Sequence, residues 1–434
     1  MDSFTLGIAG TAALVALVFM GVRVFYAAAA VGLFGLVAMI GWDAGAGMAG
    51  TIPHSKSVSY TLSVLPMFIL IGYLAFHAGL TEALFDAGRK WLGWVPGGLA
   101  VASVMAATGF AAVSGASTAT AAVFSRVAVP DMLKAGYDKR LAAGVVAAGG
   151  TLATLIPPSA LLVIYAIIVE ESVGALLVAG FLPGIVSALI YVVMIVVMAK
   201  LNPKLGRPIT GFTWKQRWKS LPGTAPIFAV VVIIFSAMYF GWATPTEAGA
   251  LGAFVVFVLA LAHGMRWRGL REALLETAKL TVMIFSIIWG VLMFVRFLGF
   301  AGLPDAFAKW VVALDLPPLA ILICILLFYT VLGMFMDAIG MLLLTLPVVY
   351  PAVIALGYDA IWFGIIVVKM AEICLITPPI GLNCFVVNGV RPDIPLSTVF
   401  RGILPFFIAD VVTVGVFIAF PDIILWLPRT MNMA

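Results

Sequence analysis

The chain has 434 residues, 64% of them hydrophobic and only 10% charged, with a mean hydropathy of +1.20. A soluble domain carries about 25% charged residues, so no water-soluble surface can be assembled from this composition. The net charge of +5 does not point to nucleic acid, because Lys and Arg sit in short loops between apolar runs, as in cytoplasmic loops of membrane proteins.

From the N-terminus, residues 4–21 form an apolar run behind Met1-Asp2-Ser3. The acidic start and Arg23 after the run predict a retained first helix rather than a cleaved signal peptide. Further spanning candidates, near the length of ~20 residues a bilayer requires, are 24–42, 61–79, 141–170, 173–199, 222–240, 245–263, 280–299, 360–390 and 402–427. Residues 97–128 and 318–350 are too long for one crossing, and both break midway at small or polar residues. The breaks are Ser114-Gly115-Ala116-Ser117-Thr118 and Asp337-Ala338-Ile339-Gly340. Each stretch is either two full helices or a re-entrant hairpin.

An internal repeat bears on that choice. Pro130, Gly136-Tyr137-Asp138 and Pro157-Pro158 recur as Pro351, Gly357-Tyr358-Asp359 and Pro378-Pro379, each 221 residues later. Ala78-Gly79-Leu80 and Lys90-Trp91 recur as Ala301-Gly302-Leu303 and Lys309-Trp310. The chain is therefore read as a tandem duplication, 1–219 and 220–434. Segments 200–219 and 264–279 are basic and predict cytoplasmic loops, with the helices 222–240 and 245–263 as an out-and-back pair between them. Residues 131–140 carry three basic residues and their counterparts 352–361 carry none. Five crossings and one hairpin per copy make an odd count, so the second copy is expected to be inverted and both termini periplasmic. A plain bundle of about fourteen helices has the same parity. The broken centres favour hairpins, and with them an all-α polytopic membrane protein of inverted-repeat design.

Irregular backbone in hydrocarbon persists only where its polar groups are used or line a cavity. Four breaks occur in matched pairs: the tips at 114–118 and 337–340, and the Pro-Pro segments 149–159 and 374–383. Proline removes a donor and clashes with the preceding turn, which frees carbonyls near Ala153, Ile156, Cys374 and Thr377. Oxygen ligands of this kind suit a hard cation, and helix N-termini at the tips suit a carboxylate. The plainer reading makes Pro-Pro a kink and Ser114, Ser117 and Asp337 helix N-caps. Four breaks in two matched pairs favour the functional reading, with one cation site per copy and the substrate between the tips, near Ser117, Thr118, Ser159, Ala338 and Asn383.

Ionisable residues within apolar runs are Arg296, Asp337, Lys369, Glu372 and Asp410. Such a charge costs roughly 2.5–3.5 kcal/mol at a helix centre. Lys369 and Glu372 are three apart and predict a structural pair. His77 reads as a helix-end residue, and Trp214-Lys215-Gln216-Arg217-Trp218-Lys219 as an interfacial anchor. Cys324, Cys374 and Cys384 have no metal-ligand spacing and read as packing residues. With three histidines, none in a ligand motif, no membrane-embedded enzyme is expected.

The run from Ser114 to Thr120, Gly149-Gly150-Thr151-Leu152 through Ile156-Pro157-Pro158-Ser159, Thr244-Pro245-Thr246-Glu247-Ala248, and Thr377-Pro378-Pro379-Ile380-Gly381-Leu382-Asn383 resemble the large membrane subunit of tripartite ATP-independent periplasmic (TRAP) transporters, over essentially the whole chain. The resemblance implies sodium-coupled uptake of an organic acid across the bacterial inner membrane by an elevator-like motion. It also implies two partners, a periplasmic substrate-binding protein and a separate small four-helix membrane subunit. Carried over by motif, a first sodium site uses Ser114, Gly115, Ser117, Ala153, Ile156 and Pro158, and a second uses Gly333, Asp337, Cys374, Thr377 and Ile380. The family often has Gly where this chain has Ala153 and Cys374. Rival designs are a divalent-anion/sodium symporter that needs no binding protein, and a passive channel.

Overall fold

The computed structural model describes residues 2–431, and all of the regular structure among them is helical. In chain order the helices are α1 Ser3–Phe19, α2 Val24–Ile40, α3 Trp42–Ser57, α4 Val64–His77, α5 Leu80–Leu92, α6 Gly98–Ser114 and α7 Ser117–Lys134. Then follow α8 Lys139–Thr151, α9 Ala160–Val169, α10 Val173–Leu201, α11 Trp214–Ser220, α12 Ala225–Tyr239, α13 Pro245–Ala262 and α14 Trp267–Ala301. The last are α15 Leu303–Val312, α16 Pro318–Gly333, α17 Ala338–Ala355, α18 Ala360–Cys374, α19 Leu382–Val390, α20 Leu396–Ala419 and α21 Asp422–Thr430. A 3-10 turn over Tyr60–Ser63 leads into α4, and another over Leu152–Thr154 closes α8. Six of these units are long and apolar enough to cross a membrane.

Local chemistry explains where many helices begin. Asp138 accepts from the Arg140 amide at 2.7 Å, and its counterpart Asp359 accepts from the Trp362 amide at 2.9 Å. Thr213 and Thr244 each form a capping box with the residue three further on, Gln216 and Glu247. Gly79 and Gly302 start α5 and α15 in the left-handed region, at φ 72° and 69°, a conformation glycine adopts without a Cβ penalty. Element boundaries recur with the sequence motifs: α7 runs from 117 to 134 and α17 from 338 to 355, so both ends are displaced by the same 221 residues.

Several boundaries differ from the sequence reading. The basic segment 264–279 is not a loop, because α14 starts at Trp267 and runs for 35 residues. Its charged turn is helical because Ala273 and Thr277 are buried while Arg268 pairs with Glu272 one turn away, at 3.0 Å. The candidate span 402–427 is two helices, because Pro421 has no N–H to extend α20. Pro130 and Pro351 lie inside α7 and α17, which continue to Lys134 and Ala355. Residues 42–57, not expected to be helical, form α3.

Two packing neighbourhoods organise the helices. In one, α14 lies along α2 and also meets α4, while α4 packs on α13. In the other, α8 is enclosed by α7, α20, α6 and α19, and α18 by α16, α17, α10 and α9. α8 and α20 approach by backbone, where a Cβ on Gly402 would fall 2.0 Å from the Arg140 carbonyl and one on Gly144 would fall 2.3 Å from the Gly402 carbonyl. Small residues permit such backbone contact between helices in membranes.

Candidate cation and substrate site

The segments 97–128 and 318–350 each fold as two helices joined by a short tip: α6 and α7 turn at Gly115-Ala116, and α16 and α17 at residues 334–337. Gly115 turns the first tip with φ 57° and ends α6. A Cβ there would lie 2.2 Å from the Pro158 carbonyl oxygen, so the first tip rests directly on the first Pro-Pro break. The Ser117 carbonyl oxygen lies 2.9 Å from where a Cβ of Gly150 would stand. The structure thus brings Gly115 and Ser117 of the tip against Pro158 and the end of α8. Ser114 adds a hydrogen bond between its Oγ and the Thr120 hydroxyl at 3.0 Å. Ala153 and Ile156 are buried within the break itself.

The second set is joined differently. A Cβ on Gly333 would fall 1.6 Å from Cys374 Sγ, so the end of α16 abuts the end of α18. The Thr377 hydroxyl donates to the Ile373 carbonyl at 2.6 Å, and the Cys374 carbonyl accepts from the Thr377 amide at 3.4 Å. That carbonyl is therefore not wholly released by the prolines: a turn of backbone re-forms ahead of them. Asp337 caps α17, accepting from the Ile339 and Gly340 amides at 3.1 and 3.2 Å. Among the described residues no hydrogen bond joins Asp337 or Ile380 to Cys374 or Thr377. Ile380 is 37% exposed.

The N-cap alternatives separate. Asp337 is an N-cap, whereas Ser117 is the first residue inside α7 and Ser114 the last of α6, with Ala116 in the cap position.

Of the residues expected near substrate, Ser117 and Asn383 meet across the two halves of the chain. Asn383 Nδ2 donates to Ser117 Oγ at 2.8 Å and to the Ala147 carbonyl at 3.0 Å. The Asn383 side chain is fully buried and its Oδ1 has no hydrogen-bond partner. Ser159 is also fully buried. Its hydroxyl donates to the Thr154 carbonyl and accepts from the Leu162 amide, so both of its functions are used within the protein. Ala338 is buried beside the Asp337 cap, and Thr118 is half-buried at the start of α7.

One buried charged cluster was not foreseen as a group. Lys369 Nζ lies 3.1 Å from Glu372 Oε1 and 2.7 Å from Asp410 Oδ1, and all three side chains are fully buried. The expected Lys369–Glu372 pair is present, and Asp410 from α20 completes it. Tyr191 of α10 donates to Asp410 Oδ1 at 2.7 Å, and Thr151 at the end of α8 donates to Glu372 Oε1 at 2.8 Å. Thr151 and Glu372 stand at the same 221-residue spacing as the matched sequence motifs. His77 ends α4 as expected, with Nε2 3.0 Å from Glu276 of α14.

These features define a polytopic, all-helical membrane protein in which two helix breaks abut two helical tips. A family model described as the tripartite ATP-independent periplasmic transporter, DctM component, matches residues 11–423, and the chain belongs to that family. It is 36% identical to the C4-dicarboxylate TRAP transporter large permease protein DctM of Pseudomonas aeruginosa, over 87% of this chain and 88% of the relative. It is 31% identical to the sialic acid TRAP transporter large permease protein SiaM of Vibrio cholerae, over 86% of this chain and 87% of the relative. Among solved structures, the YdaH transporter of Alcanivorax borkumensis is similar in fold, with a TM-score of 0.57 and 14% identity, covering 88% of this chain and 90% of that one. The chain is a multi-pass inner-membrane transporter subunit and not an enzyme.

Proposed function

We propose that this chain is the transporting subunit of a sodium-coupled importer for a small organic acid, of the C4-dicarboxylate or sialic acid type handled by its named relatives. The observation that carries the reading is the pairing of breaks and tips: Gly115 against Pro158 in the first half, Gly333 against Cys374 in the second. The first pairing sets hydroxyl and carbonyl oxygens beside a helix terminus, the donor set a hard cation requires, and the second brings the end of α16 to the turn of Cys374 and Thr377. In this reading the two halves are inverted copies, and each contributes one sodium site. The first is built on Ser114, Gly115, Ser117, Ala153, Ile156 and Pro158, the second on Gly333, Asp337, Cys374, Thr377 and Ile380. The substrate lies between the tips, close to Asn383 Oδ1 and Ser117. The neighbourhood around α8 and α18 moves against the one around α2, α4 and α14 as an elevator. A periplasmic binding protein delivers the acid, and a separate small membrane subunit steadies the scaffold.

The test is uptake into proteoliposomes that contain the chain and its small subunit. Radiolabelled succinate and sialic acid are offered in turn, with and without the cognate binding protein, under an inward sodium gradient. Accumulation that requires both the gradient and the binding protein is the expected result. Uptake without the binding protein would establish the simpler divalent-anion symporter instead, and accumulation indifferent to sodium would overturn the coupling ion.

A further inference from the structure

We propose that Glu372 is a positioning residue that couples the two cation sites to one another, an inference that rests on the sodium reading above. The duplication relates Thr151 to Glu372, and these two counterparts are in direct contact, at 2.8 Å. A residue touches its own copy only close to the axis that relates the copies. Tyr191 and Asp410, 219 residues apart, also meet, at 2.7 Å. The buried charge cluster therefore sits where the two halves join, and it breaks their equivalence. The first half supplies the neutral Ala148, Thr151 and Tyr191, and the second supplies Lys369, Glu372 and Asp410.

The position of Glu372 is what ties it to the breaks. It lies in the last turn of α18, two residues before Cys374. Its Oε1 accepts from Thr151, the last residue of α8, and its Oε2 accepts from Thr154 at 3.4 Å. Ala153 and Ile156 follow at once on one side, Cys374 and Thr377 on the other. One carboxylate thus holds the lip of both breaks.

Charge adds direction to the coupling. Two helix C-termini, those of α8 and α18, converge here, and each carries a partial negative charge. Two carboxylates face a single ammonium, Lys369, which the ring of Tyr191 also covers at 5.6 Å. Cations in the flanking breaks relieve this excess, so filling one break holds Glu372 in the orientation that shapes the other. A structural ion pair alone would influence folding but would leave each site's response to sodium unchanged.

The experiment is direct binding of radioactive sodium to the purified complex of this chain with its small subunit, titrated at constant ionic strength. Wild-type protein should bind with a Hill coefficient above one and at most two, the ceiling for two sites. Glu372→Gln keeps the shape and removes the charge; it should raise the half-saturating sodium concentration at least about fivefold and bring the Hill coefficient to one. Thr151→Val with Thr154→Val keeps every charge and cuts the link, losing besides it only the hydroxyls' bonds to the Ala148 and Thr151 carbonyls, so it remains informative if the first variant folds poorly; it should also abolish cooperativity. Isotherms of monodisperse variant protein that match wild type would overturn the coupling role and leave the sodium sites standing. Absence of sodium binding in wild-type protein would overturn the sodium reading itself, and this inference with it.

Discussion

Asp337 shows how one carboxylate at a helix start can serve both the fold and the site. It caps α17 through the Ile339 and Gly340 amides, which places its negative charge on a helix N-terminus beside the second tip. The two contributions separate by substitution. Asparagine caps a helix about as well as aspartate but carries no charge, whereas alanine loses both, at about 1 kcal/mol for the cap. Asp337→Asn should therefore leave thermal stability in detergent close to wild type and raise the sodium concentration needed for half-maximal uptake. Asp337→Ala should do the same to sodium and also lower the melting temperature. Equal sodium activation in wild type and Asp337→Asn would remove Asp337 from the second cation site and leave it a cap alone.

At the scale of elements, glycines mark where helices touch by backbone. Gly402 on α20 meets the Arg140 carbonyl on α8 with no room for a Cβ, and Gly144 returns the contact. This pairing holds α8, and with it the first break, against the helix that carries Asp410. Gly402→Val should force the helices apart at a cost of about 1–3 kcal/mol, as overpacking does elsewhere. Fluorescence-detected size exclusion should show loss of the monodisperse peak, whereas the same change at Gly415, where a Cβ meets nothing, should be tolerated. Nothing in the sequence alone distinguished these two glycines on one helix. What was legible locally was of another kind. Pro-Pro pairs, small-residue tips and matched Gly-Tyr-Asp turns are chemical exceptions that stand out against an apolar background, so the positions of the breaks could be read. Helix ends were less legible. Trp267 begins α14 inside a basic segment because burial of Ala273 and Thr277 outweighs local charge, and that burial depends on distant partners. Asp410 was visible as a charge in an apolar run, but its partners Lys369 and Tyr191 lie on α18 and α10 and only packing joins them.

At the scale of the whole molecule, the arrangement turns on orientation. If the halves are inverted, equivalent residues face opposite sides of the membrane, and matched loops should differ in their load of Lys and Arg, as 131–140 and 352–361 do. Lys134 and Ala355 are such a pair: they close α7 and α17, stand 221 residues apart, and are both exposed. The three native cysteines include the exposed Cys324, so a background with all three replaced by serine is required first. In that background Lys134→Cys should resist a membrane-impermeant maleimide applied to intact spheroplasts and react once the membrane is opened. Ala355→Cys should react in intact spheroplasts. A second pair guards against local shielding: Lys204→Cys, in the basic segment after α10, should behave like Lys134→Cys, and Asp315→Cys, after α15, like Ala355→Cys. Labelling of both Lys134→Cys and Ala355→Cys from the same side would make the copies parallel. The contacts of Thr151 with Glu372 and of Tyr191 with Asp410 would then need an axis along the membrane normal rather than within its plane, and the two breaks would open to the same face. Inverted halves would present the two breaks to a central substrate from opposite faces, so this labelling pattern tests the proposed site geometry as well as the topology.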